Sequence, residues 1–268
     1  MKVGIVGKVN KIKDENVLPW LRTTLEAHGF ETVWFSSHVE IDGVDVVIVL
    51  GGDGAILHAA TVAAPKGIRM LGVNYGNVGF LTEFEKEDLE KVLPLLENMR
   101  NGNSKILNRS VLEVTVDGVS YYALNEVAIQ RDYASGLTDN PQILTLNVKA
   151  GAGEISIAGD GALLATPTGS TAYSLSAGGA IVSPEVPVFM LTPICAFSMS
   201  ARPMVFSDEE WFRFGIGKGK ALLLVDGKAV ASLVEGDYVT VRKANFKAEF
   251  LTRKESCFFT KIKNKLNG

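Results

Sequence analysis

Apolar and polar positions divide the chain into two stretches with different periods. Over the first hundred residues, short continuous apolar runs alternate with segments of helical spacing. VGIVG (3–7), ETVWF (31–35), VDVVIVL (44–50) and RMLGVNY (69–75) read as strands. Their unbroken apolar character suits strands covered on both faces. Leu21 and Leu25 lie four apart with Gly29 beyond them, which predicts a helix closed by a glycine C-cap. Helices are also predicted over 54–64 and 85–100, the second kinked or restarted at Pro94. Strands alternating with helices imply a parallel sheet with right-handed crossovers.

From about residue 104 the period shortens to that of strands. SVLEVTVDGVSYYALNEVAIQ (110–130) is two runs joined by Asp117-Gly118, a strong hairpin signal. ALLLVDGKAVASL (221–233) repeats the design around Asp226-Gly227, and ILTLNVKAGAGEISIAG (143–159) turns on a glycine pair. A helix-sized interruption lies at 171–180, and 256–268 reads as a short helix or a tail. The expected architecture is a Rossmann-like α/β domain with a parallel sheet over 1–102, then an antiparallel, β-sandwich-like domain over 103–250. Residues 251–268 are expected to pack back on the first domain. RDYASGLTDNP (131–141) has the composition of a mobile loop with no assigned role.

Composition narrows the classes. Of 268 residues 47% are hydrophobic, enough for a sizeable core, and the formal net charge is −3 with no block of like charge. That argues against a nucleic-acid surface, though not against a small anionic ligand. Cys195 and Cys257 are the only cysteines. They cannot form a metal cluster, and two reduced thiols is a plainer reading than one disulfide. MKVGIVGKVN is too short and too soon charged for a signal peptide, and VPVFMLTPICAFSM (186–199) is too short and proline-broken to span a bilayer. A cytoplasmic protein without membrane partners is expected.

Chemistry enters at GGDG (51–54), set where the strand IVL ends and AILHAATVAA begins. Open parallel sheets bind ligands at the carboxyl ends of their strands, and glycines there let phosphate oxygens approach backbone N–H groups. Asp53 would repel phosphate, so it needs another reason: a hydroxyl to hold or a metal to bind. A turn is the plain alternative, since Gly-Asp-Gly is good turn chemistry anywhere. No Walker A sequence and no well-placed GxGxxG stands in for it; VGIVGK (3–8) misses the spacing.

Further stretches join it. GVNYGNVGFLTEF (72–84) puts glycines and an asparagine at a strand end. ALNEV (123–127) sets Asn125 and Glu126 within an apolar strand, and GDGALLATPTGSTAYSLSAGG (159–179) holds a second Gly-Asp-Gly and a run of small hydroxyl residues. In this order and spacing, GGDG, GxxGFLT, ALNE and GDG…TPTGSTAYSLSAGG resemble the NAD kinase family. GGDG alone is shared with lipid kinases and phosphofructokinases; TPTGSTAYSLSAGG with an upstream LNE is far more specific.

The resemblance implies phosphoryl transfer from ATP, or in some members polyphosphate, to the adenosine ribose 2′-hydroxyl of NAD, assisted by a divalent metal, usually magnesium. It implies a homodimer or homotetramer. Asp53 matches the acid that accepts the hydroxyl proton. A carboxylate is a weak base for an alcohol, so its work is alignment, with the proton taken late. Gly51, Gly52 and Gly54 would admit phosphates. Asn125, Glu126 and Asp160 match positions that contact NAD, although a hairpin turn is a credible structural reading of Asp160. Thr171, Ala172, Tyr173 and Ser176 match positions around the nucleotide, near a helix start at Ser170 or Thr171. Phe80 resembles a position beside the adenine and His58 one near phosphates. Tyr173 and Phe80 read equally well as packing residues, and a lone helical histidine is more often structural.

The chain departs from the usual pattern at Ala55, Ala158, Ala180, Lys228 and in TPICAF (192–197). These positions bear on donor choice and on NAD versus NADH preference. A lipid or sugar kinase sharing GGDG is one alternative; a nonenzymatic NAD(P)-binding sensor is another. The ALNE and STAYSLS stretches argue against the first and the retained Asp53 against the second.

Overall fold

Valine, isoleucine and leucine runs form the expected first strands: Lys2–Gly7 (β1), Glu31–Phe35 (β2), Val46–Leu50 (β3) and Arg69–Asn74 (β4). β1, β3 and β4 are buried almost throughout, which is why their sequences do not alternate; β2, at the sheet edge, is partly exposed. These are features of a computed structural model, which describes residues 1–7, 16–76, 79–133, 143–199, 201–255 and 257–266. Lys8 and positions 134–141 of the 131–141 segment lie outside the described residues.

β1 pairs with β2 and β3, and β3 with β4, all in parallel. Phe84–Glu85 (β5) also pairs with β4 in parallel. Two later strands extend the sheet. Ala248–Thr252 (β19) lies parallel to β4, and Lys105–Arg109 (β6) antiparallel to β19. The sheet is therefore mixed, ordered β2-β1-β3-β4-β19-β6. The chain folds as two units, one of residues 1–109 with 246–268 and one of 110–245. Residues 103–109 and 246–250, assigned from sequence to the β-rich part, belong to the first unit. Their partners are far along the chain, so no local pattern marks the exchange.

Helix Val17–Ala27 (α1) buries Leu21 and Leu25, each worth roughly 1.5–3 kcal/mol. Gly29 follows at φ +76°, as a glycine C-cap requires. Helix Asp53–Ala63 (α2) follows β3 directly. The 85–100 segment breaks earlier than Pro94. Lys86–Lys91 is a 3-10 stretch interrupted at Asp88, and Val92–Arg100 (α3) restarts beyond it. Pro94 falls in the first turn of α3, where its missing N–H removes no intrahelical bond. The last described element is helix Phe258–Leu266 (α5).

The second unit holds two six-stranded antiparallel sheets. One contains Leu112–Val116 (β7), Val119–Ala123 (β8), Leu144–Ala150 (β10), Gly153–Gly159 (β11), Phe212–Lys218 (β15) and Tyr238–Lys243 (β18). The other contains Glu126–Arg131 (β9), Gly161–Ala165 (β12), Val188–Ile194 (β13), Met204–Ser207 (β14), Ala221–Val225 (β16) and Lys228–Leu233 (β17). Leu112, Leu146 and Phe214 of the first sheet share one core with Ile129, Leu164 and Leu223 of the second. Both Asp-Gly turns have left-handed φ at each residue, 49° and 76° at 117–118 and 46° and 77° at 226–227, the type I′ signature. In the 143–159 hairpin only Gly151 is left-handed; Gly153 already belongs to β11. Cys195 and Cys257 are free thiols.

Candidate active site

The acid among glycines has a definite structural partner. β3 stops at Leu50, Gly52 is the N-cap of α2, and Asp53 is its first helical residue. A carboxylate there complements the positive end of the helix. Its Oδ2 accepts the Phe80 N–H at 2.8 Å and its Oδ1 the Leu81 N–H at 3.0 Å. The GGDG turn and the GFLT segment are thus one device, and the carboxylate is held by both oxygens.

Glycines around it divide by purpose. A Cβ on Gly79 would collide with Asp53 Oδ1, so only glycine lets the 79–81 backbone reach the carboxylate. A Cβ on Gly51 would come within 2.7 Å of the Ala55 Cβ. Gly51 therefore serves packing of the turn as well. At Gly54 a Cβ would meet nothing within 4 Å, and at Gly52 only Asn74 Oδ1 at 4.0 Å. None of the three glycines has a left-handed φ. No contact within 4 Å demands glycine at 54, and only the distant Asn74 Oδ1 faces position 52.

Gly79→Ala is a direct probe of this geometry. Turnover should fall about 10- to 100-fold, because displacing an aligned group by about 1 Å costs that much. Steady-state kinetics showing parental turnover would mean the carboxylate need not sit where the two amides hold it.

Arg109, at the end of β6, is buried between charges. Burial pulls its guanidinium down to about 10, and Asp53 and then Glu83 act to hold it up. Sequence gives Gly79 only as a letter of GxxGFLT and does not single out Arg109, because each meets Asp53 across a long separation. Of the other predicted residues here, Phe80 is buried and meets Asp53 through its amide. His58 stacks on His38, with ring centroids 5.0 Å apart. Five residues beyond Asp53, it leaves the helix about 140° round the axis. Asp53 and His58 therefore do not share a face.

The second unit gathers another group. Asn125 lies in the bend between β8 and β9, not within a strand, and Glu126 is the first residue of β9. That resolves how two successive polar residues are accommodated. Asp226 of the β16–β17 turn organises them: its carboxylate accepts the N–H groups of Leu124, Asn125 and Glu126 at 2.8, 2.8 and 3.1 Å. Sequence identified Asp226 only as a turn residue; its partners lie about a hundred positions away.

Glu126 is 6% exposed, and its Oε2 has no hydrogen-bond partner among the described residues. Burial, reinforced by the Asp226 charge, pushes its carboxyl up to about 7, against the opposing pull of the Tyr173 N–H. A buried acceptor left open is unusual and marks a place where a ligand hydroxyl or amine could donate.

The TPTGSTAYSLS stretch is less regular than predicted. Thr168–Thr171 is a 3-10 turn, Ala172 leaves helical geometry, and Tyr173–Ser176 (α4) is a single helical turn. Several of its hydroxyls bind backbone carbonyls, some within the loop and some beside it. Thr166 Oγ1 donates to the Leu124 carbonyl at 2.6 Å, and Ser170 Oγ to the Pro167 carbonyl at 2.6 Å. Thr171 Oγ1 donates to the Thr168 carbonyl at 3.3 Å. A Cβ on Gly169 would strike the Asn125 carbonyl, so this loop and the Asn125 bend are packed backbone to backbone.

Asp160 is not a hairpin turn. It is the crossing from β11 in one sheet to β12 in the other. Its carboxylate stands 3.7 Å from Arg131 Nη1 and accepts the Tyr133 hydroxyl. Burial, then Cys195, Asp160 and Glu126, raise the Tyr173 hydroxyl above its ordinary value. Glu126, Asp160 and Tyr173 therefore stand together in this unit, with Asn125 beside them. Thr171 and Ala172 are half-buried next to Tyr173, and Ser176 is exposed at the end of α4.

Comparison with known proteins gives these groups a family. The sequence pattern of the ATP-NAD kinase N-terminal domain matches residues 5–101, and that of the ATP-NAD kinase C-terminal domain matches 124–253. An NAD kinase of Heliobacterium modesticaldum is 39% identical over 231 residues, covering 83% of this chain and 78% of the relative. One from Natranaerobius thermophilus is 36% identical over 248 residues, covering 90% and 84%. Among solved structures, a yeast NADH kinase complexed with NADH superposes with a TM-score of 0.86 at 27% identity, covering 100% of this chain and 87% of that one. An NAD kinase from Archaeoglobus fulgidus in complex with ATP gives 0.77 at 24% identity, covering 100% and 98%; that likeness speaks for the fold alone. Both domain patterns, in order and spanning Asp53, Glu126 and Asp160, agree with relatives matched over most of their length: the chain belongs to the ATP-NAD kinase family.

Proposed function

We propose that the protein is an NAD kinase that transfers a phosphoryl group from ATP, or from polyphosphate, to the adenosine ribose 2′-hydroxyl of NAD, yielding NADP. The similarity to NAD kinases at 36–39% identity supports the activity. The observation that carries the mechanism is the Asp53 carboxylate, pinned by two amides at the head of α2 beside glycines that open onto free space. Phosphoryl transfer through a loose transition state needs alignment above all. Asp53 orients the ribose hydroxyl toward the donor and takes its proton as the new P–O bond forms. Gly52 and Gly54 leave room for phosphates near the N-terminus of α2, where backbone N–H groups favour anions. Asn125, Glu126, Asp160 and Tyr173 hold the nucleoside, with Thr171, Ala172 and Ser176 alongside. Oε2 of Glu126 accepts one of its donors.

Among the described residues no three His, Cys, Asp or Glu side chains converge to hold a metal. The magnesium ion that the family resemblance implies would be carried on the donor's phosphates. When bound there, the ion neutralises phosphate charge. We read the protein as a homodimer or homotetramer, as the family resemblance implies, and as cytoplasmic from its sequence. No described helix is long and apolar enough to cross a membrane.

Purified protein incubated with NAD, ATP and magnesium should form NADP, followed by an NADP-dependent dehydrogenase. Binding of NAD without NADP from any phosphoryl donor would point instead to a nonenzymatic sensor.

A further inference from the structure

The segment that holds Asp53 is itself held from behind. Directly after Phe80 and Leu81 come Thr82 and Glu83, both buried. The Glu83 carboxylate is saturated by the C-terminal part of the chain. Its Oε1 accepts the Arg253 N–H at 3.1 Å and Arg253 Nε at 2.8 Å. Its Oε2 accepts Thr252 Oγ1 at 2.8 Å and Lys261 Nζ at 3.3 Å. Lys261 Nζ also donates to the Thr82 carbonyl at 2.9 Å, and Arg253 Nη2 to the Glu83 carbonyl at 3.3 Å. Lys261 projects from α5 and Arg253 follows β19, so two elements from the end of the chain close on two residues of the 79–83 segment.

The electrostatics point the same way. Burial alone raises the Glu83 carboxyl, but the Lys261 charge and the Arg253 and Thr252 donors outweigh it, leaving Glu83 below its ordinary value. Burial lowers the Lys261 ammonium, with Glu83 opposing and Arg109 and Arg253 adding to the fall. Arg109 feels both Asp53 and Glu83. A buried carboxylate with this many donors is costly to disturb, since losing one partner leaves charge uncompensated.

We propose that Lys261, acting with Arg253, is a positioning residue for phosphoryl transfer: it clamps Thr82 and Glu83 so that the adjoining amides of Phe80 and Leu81 hold the Asp53 carboxylate in its working orientation. The proposal rests on the reading of Asp53 as the group that aligns the acceptor hydroxyl. The C-terminal helix is then a working part of the catalytic apparatus and not merely a terminal cap.

The test is Lys261→Met in the full chain, with Lys261→Arg as the conservative control. Two quantities are read: hydrogen exchange at the Phe80 and Leu81 amides, and the separate values of kcat and KM for NAD. In Lys261→Met, exchange at both amides should accelerate and kcat should fall about tenfold with KM nearly unchanged, as for lost alignment of a reacting group. Lys261→Arg should restore both. Unchanged exchange at these amides would overturn the clamp. Faster exchange with parental kcat would overturn its role in positioning. Exchange does not depend on turnover, so the clamp is tested even if Asp53 has another use. If Lys261→Met does not fold, Glu83→Gln weakens the same clamp from the other side and is read in the same way.

Discussion

Asp53→Asn should bind NAD within a few-fold of the parent yet turn over at least ~100-fold more slowly, the scale expected for loss of a general base. The substitution keeps the side-chain volume and the start of α2. It removes the charge that attracts the acceptor proton. It also offers one acceptor where the parent uses two, because Phe80 and Leu81 each donate to a different oxygen. One of those amides must face the new NH₂ group, at a cost of about 1–3 kcal/mol if it stays buried. Both effects act on alignment of the hydroxyl; Asn125, Glu126, Asp160 and Tyr173 are untouched. Calorimetric NAD binding alongside steady-state kcat separates the two. Turnover close to parental would remove Asp53 from the chemistry, and a loss confined to NAD affinity would make it a binding residue only.

Glu126→Gln should abolish a pH dependence of stability worth about 3 kcal/mol, taking 1.36 kcal/mol per pKa unit. The carboxyl is raised from 4.5 to about 7, first by burial and then by Asp226. The folded protein thus holds this proton more tightly than the unfolded chain does. Below about pH 4.5 both states are protonated and the group is neutral to stability. Between there and about pH 7 the folded state retains a proton that the unfolded state has released. Stability from this group therefore falls as pH rises through that window, and the loss is complete above it. Gln imitates the protonated form at every pH. Urea denaturation at about pH 5 and about pH 8 should show the variant gaining on the parent at the higher pH. A gap that does not change with pH would mean that Glu126 is not held as a buried acid with one oxygen left open.

Much of the first unit was legible because its strands are buried on both faces and its helices carry their own stop signals. The four leading strands and Gly29 follow from residues within one segment. The Asp-Gly hairpins were legible for the same reason, since a type I′ turn demands left-handed φ at adjacent positions. What escaped sequence reading depends on pairing over distance. β19 joins β4 across more than a hundred residues, and β6 follows it into the first sheet. The break at Asp88, the 3-10 start at Thr168 and the non-helical Ala172 reflect tertiary packing that outweighs local helical spacing.

The candidate site divides in the same way. Asp53, Glu126 and Asp160 lie in motifs that resemble those of the NAD kinase family, and that resemblance singled them out; local pattern alone left Asp53 and Asp160 readable as turns. No local pattern gives the contacts of Gly79, Arg109, Asp226 and Lys261. Gly79 matters through a side chain 26 positions earlier, and Asp226 through three amides about a hundred positions earlier. Only the fold brings such pairs together. His58, which the resemblance puts near phosphates, stacks on His38, a partner 20 positions earlier that sequence did not pair with it.

The position of the new phosphate in the product is the most direct measurement. Protein, NAD, ATP and magnesium are incubated, and the product is assigned by phosphorus NMR and by a dehydrogenase that accepts only the 2′-phosphate. The expected product is NADP phosphorylated at the adenosine ribose 2′-oxygen, formed by the parent and nearly lost in Asp53→Asn. A phosphate at any other oxygen, or equal yields from both proteins, would contradict the alignment of the 2′-hydroxyl by Asp53.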